Sequence, residues 1–231
     1  MAARLTREAF ATPAGRQRAW RELVWSDHGF LRAIYDNSHV VEPGRLWRSY
    51  QPGPRKLAQW RERGVRTVVN LRGDKPSGFL FLEEEACADL GLAHVPFRVF
   101  SREAPSVETL KGARDLFRRI DYPALIHCKS GADRAGLMAT LYLFFTGREP
   151  LDEAMRHLSW RYGHLRQGET GVLDAALEEF IEHARERGLS LSDVDGFFRW
   201  AEEVYDPAAT RARFRATRLG RLLTERILRR E

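Results

Sequence analysis

Apolar and polar positions along this chain alternate between strand-like and helix-like spacing. VRTVVNLRG (65–73) is a β-branched apolar run closed by glycine, the pattern of a buried strand. LAHVPF (92–97) and YPALIH (122–127) read the same way, and GRLWRSYQPGP (44–54) reads as a short strand entering a Pro/Gly turn. Segments with helical spacing separate them. KLAQWRERG (56–64) and GFLFLEEEACADLG (78–91) each end on glycine. SVETLKGARDLFRRI (106–120) gathers Leu110, Ala113, Leu116, Phe117 and Ile120 on one face. DRAGLMATLYLFF (133–145), PLDEAMRHLSW (150–160) and VLDAALEEFIEHARERG (172–188) are further predicted helices. The order β-α-β-α-β-loop-α predicts an α/β fold with a central, mostly parallel sheet flanked by helices. Residues 1–40, with Trp20, Leu23, Val24, Phe30, Leu31 and Ile34, read as a helical arm before a body at 41–188. A less regular stretch, 189–208, leads to a tail at 209–231, and the two make a helical extension over 189–231.

Composition narrows the class. The chain has 231 residues and is 43% apolar, which suits one ordinary globular domain with extensions. The longest apolar run, LMATLYLFFT (137–146), is too short to cross a bilayer and fits a buried helix. Charges recur every few residues in the first twenty, so they do not read as a secretory signal. The two cysteines, Cys87 and Cys128, cannot form a disulfide framework, and no CxxC or HxxxH spacing suggests a metal site. Together these features point to a reducing, cytoplasmic compartment. The basic residues are overwhelmingly arginine, which reads as the mark of a GC-rich bacterial genome.

Charge is unevenly placed. Residues 209–231 hold eight arginines against two glutamates, so the tail carries the whole formal net charge of +6 and the remainder is balanced. That balance speaks against a nucleic-acid-binding body. Phe214, Leu219, Leu222, Leu223 and Ile227 lie near helical spacing among those arginines. Two readings stand: a basic amphipathic helix on an anionic membrane surface, peripheral on its inner face, or a helix docked on the body.

HCKSGADRAG (127–136) is the segment that carries chemistry. Cys128 follows a predicted central strand, and Asp133 opens a predicted helix. The C-terminal edge of an open α/β sheet is where ligands bind. Amides of Lys129, Ser130, Gly131, Ala132, Asp133 and Arg134 can converge there, next to the positive end of the helix. Such a cradle, with Arg134 beside it, favours the Cys128 thiolate, a good nucleophile toward phosphorus. Arg134 can hold two phosphate oxygens side by side. Gly131 and Gly136 allow the tight turn and a close approach of helix to sheet.

The His-Cys-x5-Arg-x-Gly pattern of HCKSGADRAG resembles the loop of the cysteine-dependent protein tyrosine and dual-specificity phosphatases. ALIHC before it, the apolar helix after it, and VVNLRG and LWRSYQP upstream are similar to the small atypical dual-specificity group over roughly residues 40–185. The resemblance implies that Cys128 attacks phosphorus to form a phosphocysteine, which water then hydrolyses. It implies that Arg134 and the loop amides hold the phosphoryl oxygens, that His127 tunes the loop by hydrogen bonds, and that no metal or organic cofactor is needed.

Two positions depart from the pattern. Ala135 stands where the family has serine or threonine, which implies slow turnover or a stalled phosphoenzyme. The loop VFSREAPSVETL (99–110) lacks the aspartate that supplies the general acid, leaving Asp133, which is favoured narrowly, or Glu103. Lys129 adds positive charge at the pocket mouth, as in several phosphoinositide phosphatases. Arg72 either binds substrate or pairs with an acid. Cys87 reads as packed core, Glu83, Glu84 and Glu85 as a solvated helix face, and the remaining histidines as structural. The expected substrate is a phosphorylated protein, with a phospholipid or inositol phosphate as the alternative. A degenerate phosphate-binding module and a rhodanese-like sulfurtransferase are the competing functions.

Overall fold

The structure, a computed structural model, describes residues 5–27, 36–215 and 217. The chain opens with helices α1 (Arg7–Phe10) and α2 (Pro13–Arg21) and a π-helical turn, Glu22–Ser26. Strands β1 (His39–Glu42) and β2 (Leu46–Ser49) follow, then α3 (Pro54–Glu62), β3 (Thr67–Asn70), α4 (Gly78–Asp89) and β4 (Ala93–Pro96). Next come α5 (Val107–Arg119), β5 (Ala124–His127), α6 (Asp133–Phe145), α7 (Leu151–Ala154), α8 (Val172–Arg187) and α9 (Val194–Glu203). The chain divides into two compact units, Met1–Val99 with Arg119–Ala135, and Phe100–Arg118 with Gly136–Glu231.

The first unit holds the sheet, ordered β1-β2-β5-β3-β4. Four strands are parallel and β1 is an antiparallel edge. The central strands β3 and β5 are buried at all four positions; Val68, Val69, Ala124, Leu125 and Ile126 supply the apolar part expected of strands covered on both faces, and the polar Thr67, Asn70 and His127 lie at the strand ends. Register aligns Ser49, His127, Asn70 and Pro96 in one row at the C-terminal ends of the parallel strands. Leu57, Trp60, Val65, Val68, Cys87 and Leu125 share one apolar core, so Cys87 is packed as expected. The arm joins this unit: Leu5, Phe10, Ala19 and Leu23 pack with Phe81 and Leu82 of α4. Thr6 and Thr12 cap α1 and α2 by accepting from Ala9 N and Gly15 N.

The second unit is helical around an aromatic core. Phe197 lies 5.3 Å from Phe144 and 5.0 Å from Phe180, and Trp200 lies 4.8 Å from Tyr205, whose hydroxyl donates to Pro105 O. Residues 150–160 depart from the predicted single helix. After α7 the chain tightens into 3-10 turns at Met155–His157 and Trp160–Tyr162, because His157 leaves the helix to stack on Tyr162 and His164 is buried against Asp174 at 2.6 Å. Helix α9 lies where an irregular stretch was expected, its start capped by Asp193 accepting from Gly196 N.

The tail begins as a helix over 207–215. Thr210 Oγ1 and Arg213 Nη2 reach Glu179 of α8 at 2.8 and 2.6 Å. The start of the tail is therefore docked. Of the apolar residues on which the membrane reading rests, Phe214 lies in this helix, and Leu219, Leu222, Leu223 and Ile227 lie outside the described residues. Among the described residues no helix is long and apolar enough to cross a membrane.

Candidate active site

The residues from Cys128 to Ala135 leave the end of the central strand and turn into α6. Main-chain bonds fix the departure: Leu71 N donates to His127 O at 2.9 Å, and Cys128 N meets Ser49 O at 3.4 Å. Cys128 is buried at the base of the turn.

Four consecutive carbonyls of the turn are drawn outward by donors from the β1–β2 region. Gln51 N donates to Lys129 O at 3.3 Å, and Asn37 Nδ2 to Ser130 O at 2.9 Å. Arg48 Nη2 donates to Gly131 O at 2.7 Å and to Ala132 O at 2.8 Å. In a planar trans peptide the N–H points opposite to the C=O. The amides of Ser130, Gly131, Ala132 and Asp133 therefore face the other side, where the N-terminus of α6 also points. The Ala132 amide meets Ser130 Oγ at 3.4 Å. This is a backbone anion nest at a helix N-terminus, built by sequence far from the loop.

Gly131 makes the turn possible. Its φ is +76°, and a Cβ there would stand 2.9 Å from Asn37 O, Ser49 C and Tyr50 N. Arg48 is fully buried on β2, so its guanidinium also places positive charge beneath the nest. Asp133 and Arg134 are the first two residues of α6, half-buried, and Ala135 and Gly136 are buried.

Beneath the nest lies a buried polar cluster. His127 Nε2 lies 2.5 Å from Glu83 Oε1. Glu83 Oε2 accepts from Gln51 Nε2 at 2.7 Å and Asn70 Nδ2 at 3.1 Å. His94 Nε2 stands 3.5 Å from Glu83 Oε1 without hydrogen-bond geometry. Burial pushes the Glu83 carboxyl up, but the charge and hydrogen bond of His127, and then His94, outweigh it and hold the carboxyl at about 2. Glu83 is thus corrected from a solvated position to a fully buried one; Glu84 and Glu85 are surface partners of Arg7 and Arg16. The neighbouring Cys87 thiol is pushed up to about 12 by burial and then by Glu83 and Glu84, which leaves it inert.

Arg72 pairs with an acid. Its guanidinium holds Asp27 with two 2.9 Å bonds, donates to Gln51 Oε1 at 2.9 Å, and lies 3.6 Å over the Phe79 ring. Asp27 Oδ1 is also 3.7 Å from Lys129 Nζ, whose side chain is 42% exposed. The arm therefore contributes a carboxylate to the rim of the loop. In the second unit Glu103 is half-exposed, 3.5 Å from Arg211 Nη1.

The structure places Cys128–Ala132 in one turn and Asp133–Gly136 at the start of α6, while Arg48, Asn37, Gln51, Asp27 and Glu83, which the sequence reading did not single out for the site, adjoin them. For Glu83 a signal existed: it lies three residues after buried Leu80 and four before buried Cys87, on the inward stripe of α4. Arg48 sits within an apolar strand, where a buried guanidinium needs acceptors that only the fold supplies.

A turn lined with amides, with a cysteine at its base, at the C-terminal ends of the parallel strands is the arrangement expected of an enzyme that handles phosphate esters. Residues 30–169, more than half of the chain, match the family described as a DSP-PTPase phosphatase fused to NAD+ kinase, and the chain belongs to that family of dual-specificity-type phosphatases. No curated protein matches the chain. Solved structures similar to it include P. aeruginosa TpbA, at 21% identity over 62% of this chain and 84% of that one, with a TM-score of 0.49. A DUF442 protein from Shewanella putrefaciens shares 20% identity over 64% and 93%, also at 0.49. PTPMT1 shares 16% over 65% and 98%, at 0.48.

Proposed function

We propose that this phosphatase hydrolyses phosphate monoesters through a phosphocysteine at Cys128. The observation that carries the reading is the outward fastening of the Lys129–Ala132 carbonyls, which leaves the opposite face of the turn lined with amides. In the first step Cys128 Sγ attacks phosphorus while Arg134 and those amides hold the equatorial oxygens. The P–O bond to the leaving group breaks, and Asp133 gives that oxygen its proton. In the second step water attacks phosphorus, its proton returns to Asp133, and the P–S bond breaks to release orthophosphate and the thiolate. Asp133 is favoured over Glu103 because it belongs to the loop itself, whereas Glu103 is engaged by Arg211. Ala135 offers no hydroxyl to the departing thiolate, so the second step is the slow one. No metal or organic cofactor enters.

Phosphorylated protein is the substrate class assigned first, with the phosphatase domain at 41–188, the arm at 1–40 and the extension at 189–231. The partly exposed Lys129 ammonium at the rim favours a second reading, a phospholipid or inositol phosphate carrying further negative groups. The protein is assigned to the cytoplasm, with the tail, residues 209–231, as the candidate contact with anionic lipid. The experiment is phosphate release from an aryl phosphate, a phosphotyrosine peptide, an inositol phosphate and phospholipid vesicles, each beside Cys128→Ser. Release that depends on Cys128 supports the enzyme, and the preferred substrate separates the two branches. Binding of phosphate esters without release points to a degenerate module.

A further inference from the structure

The carboxylate of Glu83 is fully buried. A site built to attract a dianion gains nothing from a negative charge beneath it, and burying a carboxylate is costly unless it is paired and fully hydrogen-bonded. Glu83 meets both conditions, and its partners have a common location. Gln51 follows β2, Asn70 ends β3, and His127 ends β5. One side chain from α4 thus ties the ends of three parallel strands at the edge where the nest begins. Asn70 and His127 are aligned neighbours in the sheet, so the carboxylate spans the row directly. His127 is followed immediately by Cys128, and no residue lies between the clamp and the nucleophile. The His127 Nε2 contact with a carboxylate also fixes that ring nitrogen as the protonated one.

We propose that Glu83 is a positioning residue for the phosphatase reaction, clamping His127 so that Cys128 enters the nest at the height and orientation needed for attack on phosphorus. This rests on the phosphocysteine reading above. Glu83 touches no substrate. Its effect belongs in kcat, because the amides and Arg134 that bind the phosphoryl group stay in place.

The test uses the full chain and an aryl phosphate. Glu83→Gln keeps the shape and removes the charge. It is expected to lower kcat by roughly ten- to a hundredfold, the range for a small misplacement of a reacting group, while KM stays within about threefold. His127→Gln is made beside it, and the two are combined. If Glu83 acts through His127, the double variant loses no more than about threefold beyond the worse single change, because residues acting as one unit are not additive. Should Glu83→Gln fail to fold by thermal melting, Glu83→Asp, with its carboxylate withdrawn by one methylene, takes its place under the same expectations. An unchanged kcat, losses that multiply in the double variant, or a loss confined to KM would overturn the proposal while leaving the phosphatase standing. Absence of Cys128-dependent release in the unaltered chain would remove both.

Discussion

Replacing Arg48 by methionine tests how the anion nest is built. Methionine fills much of the buried volume on β2 but donates nothing, so the Gly131 and Ala132 carbonyls lose the Nη2 bonds at 2.7 and 2.8 Å. Hydrogen bonds to a charged group contribute about 1.5–3 kcal/mol each, so the pair amounts to about 3–6 kcal/mol. For a chain of this size that is a fall in Tm of roughly 6–24 °C. Turnover should fall further than stability suggests. With two of its four fastened carbonyls released, the turn is free to rotate those peptides and withdraw their amides from the phosphoryl group, a displacement worth about a hundredfold in rate. The assays are a thermal melt and kcat for an aryl phosphate, measured well below the variant's Tm. Arg48→Lys, which keeps the charge with a less suitable geometry, should fall between the two. An Arg48→Met chain with unaltered Tm and kcat would refute the idea that the carbonyls are held outward by this side chain.

Other outcomes follow from the same geometry. Gly131→Ala should cost about 1–2 kcal/mol for its left-handed backbone alone, and more as the loop shifts to clear backbone atoms 2.9 Å away; melting and kcat should both fall. Because the Glu83 carboxyl is lowered from 4.5 to about 2 in the folded chain, its stabilisation is present above pH 4.5 and is lost as pH falls toward 2. Tm should therefore drop through that window, and the drop should be blunted in Glu83→Gln, as read by melts across a pH series. Asp133→Asn should lower kcat for a poor leaving group by roughly 10²–10⁴-fold, while Glu103→Gln stays within a few-fold; the reverse order would reassign the acid.

Much of the fold was legible because the strongest patterns are local. The apolar run after Asp133 forms a helix with the predicted bounds, 133–145, and β3 and β5 are central strands because their apolar parts, Val68–Val69 and Ala124–Ile126, suit burial on both faces. Short or context-dependent elements were not. β1 is a four-residue edge strand whose sequence, HVVE, carries too little pattern to separate it from the arm. Helix α9 did carry a signal in Val194, Phe197, Phe198 and Ala201 at helical spacing behind Asp193, and it was overlooked. PLDEAMRHLSW (150–160) reads as one helix, but burial of His157, Tyr162 and His164 competes with it, and Trp160 is left 82% exposed. The loop was visible as a motif because its residues are contiguous. Its supports come from Asn37, Arg48, Gln51 and Glu83, whose convergence depends on sheet order and register, which local patterning does not encode.

The central claim is a covalent phosphoryl group on Cys128. The most direct measurement is rapid acid quench of the full chain with an aryl phosphate, followed by mass spectrometry of the peptide that contains Cys128. A phosphoryl group on that peptide, absent from Cys128→Ser and formed faster than orthophosphate is released, is the result expected of the proposed slow second step. Orthophosphate release with no phosphoryl group on Cys128, or release that persists in Cys128→Ser, would contradict it.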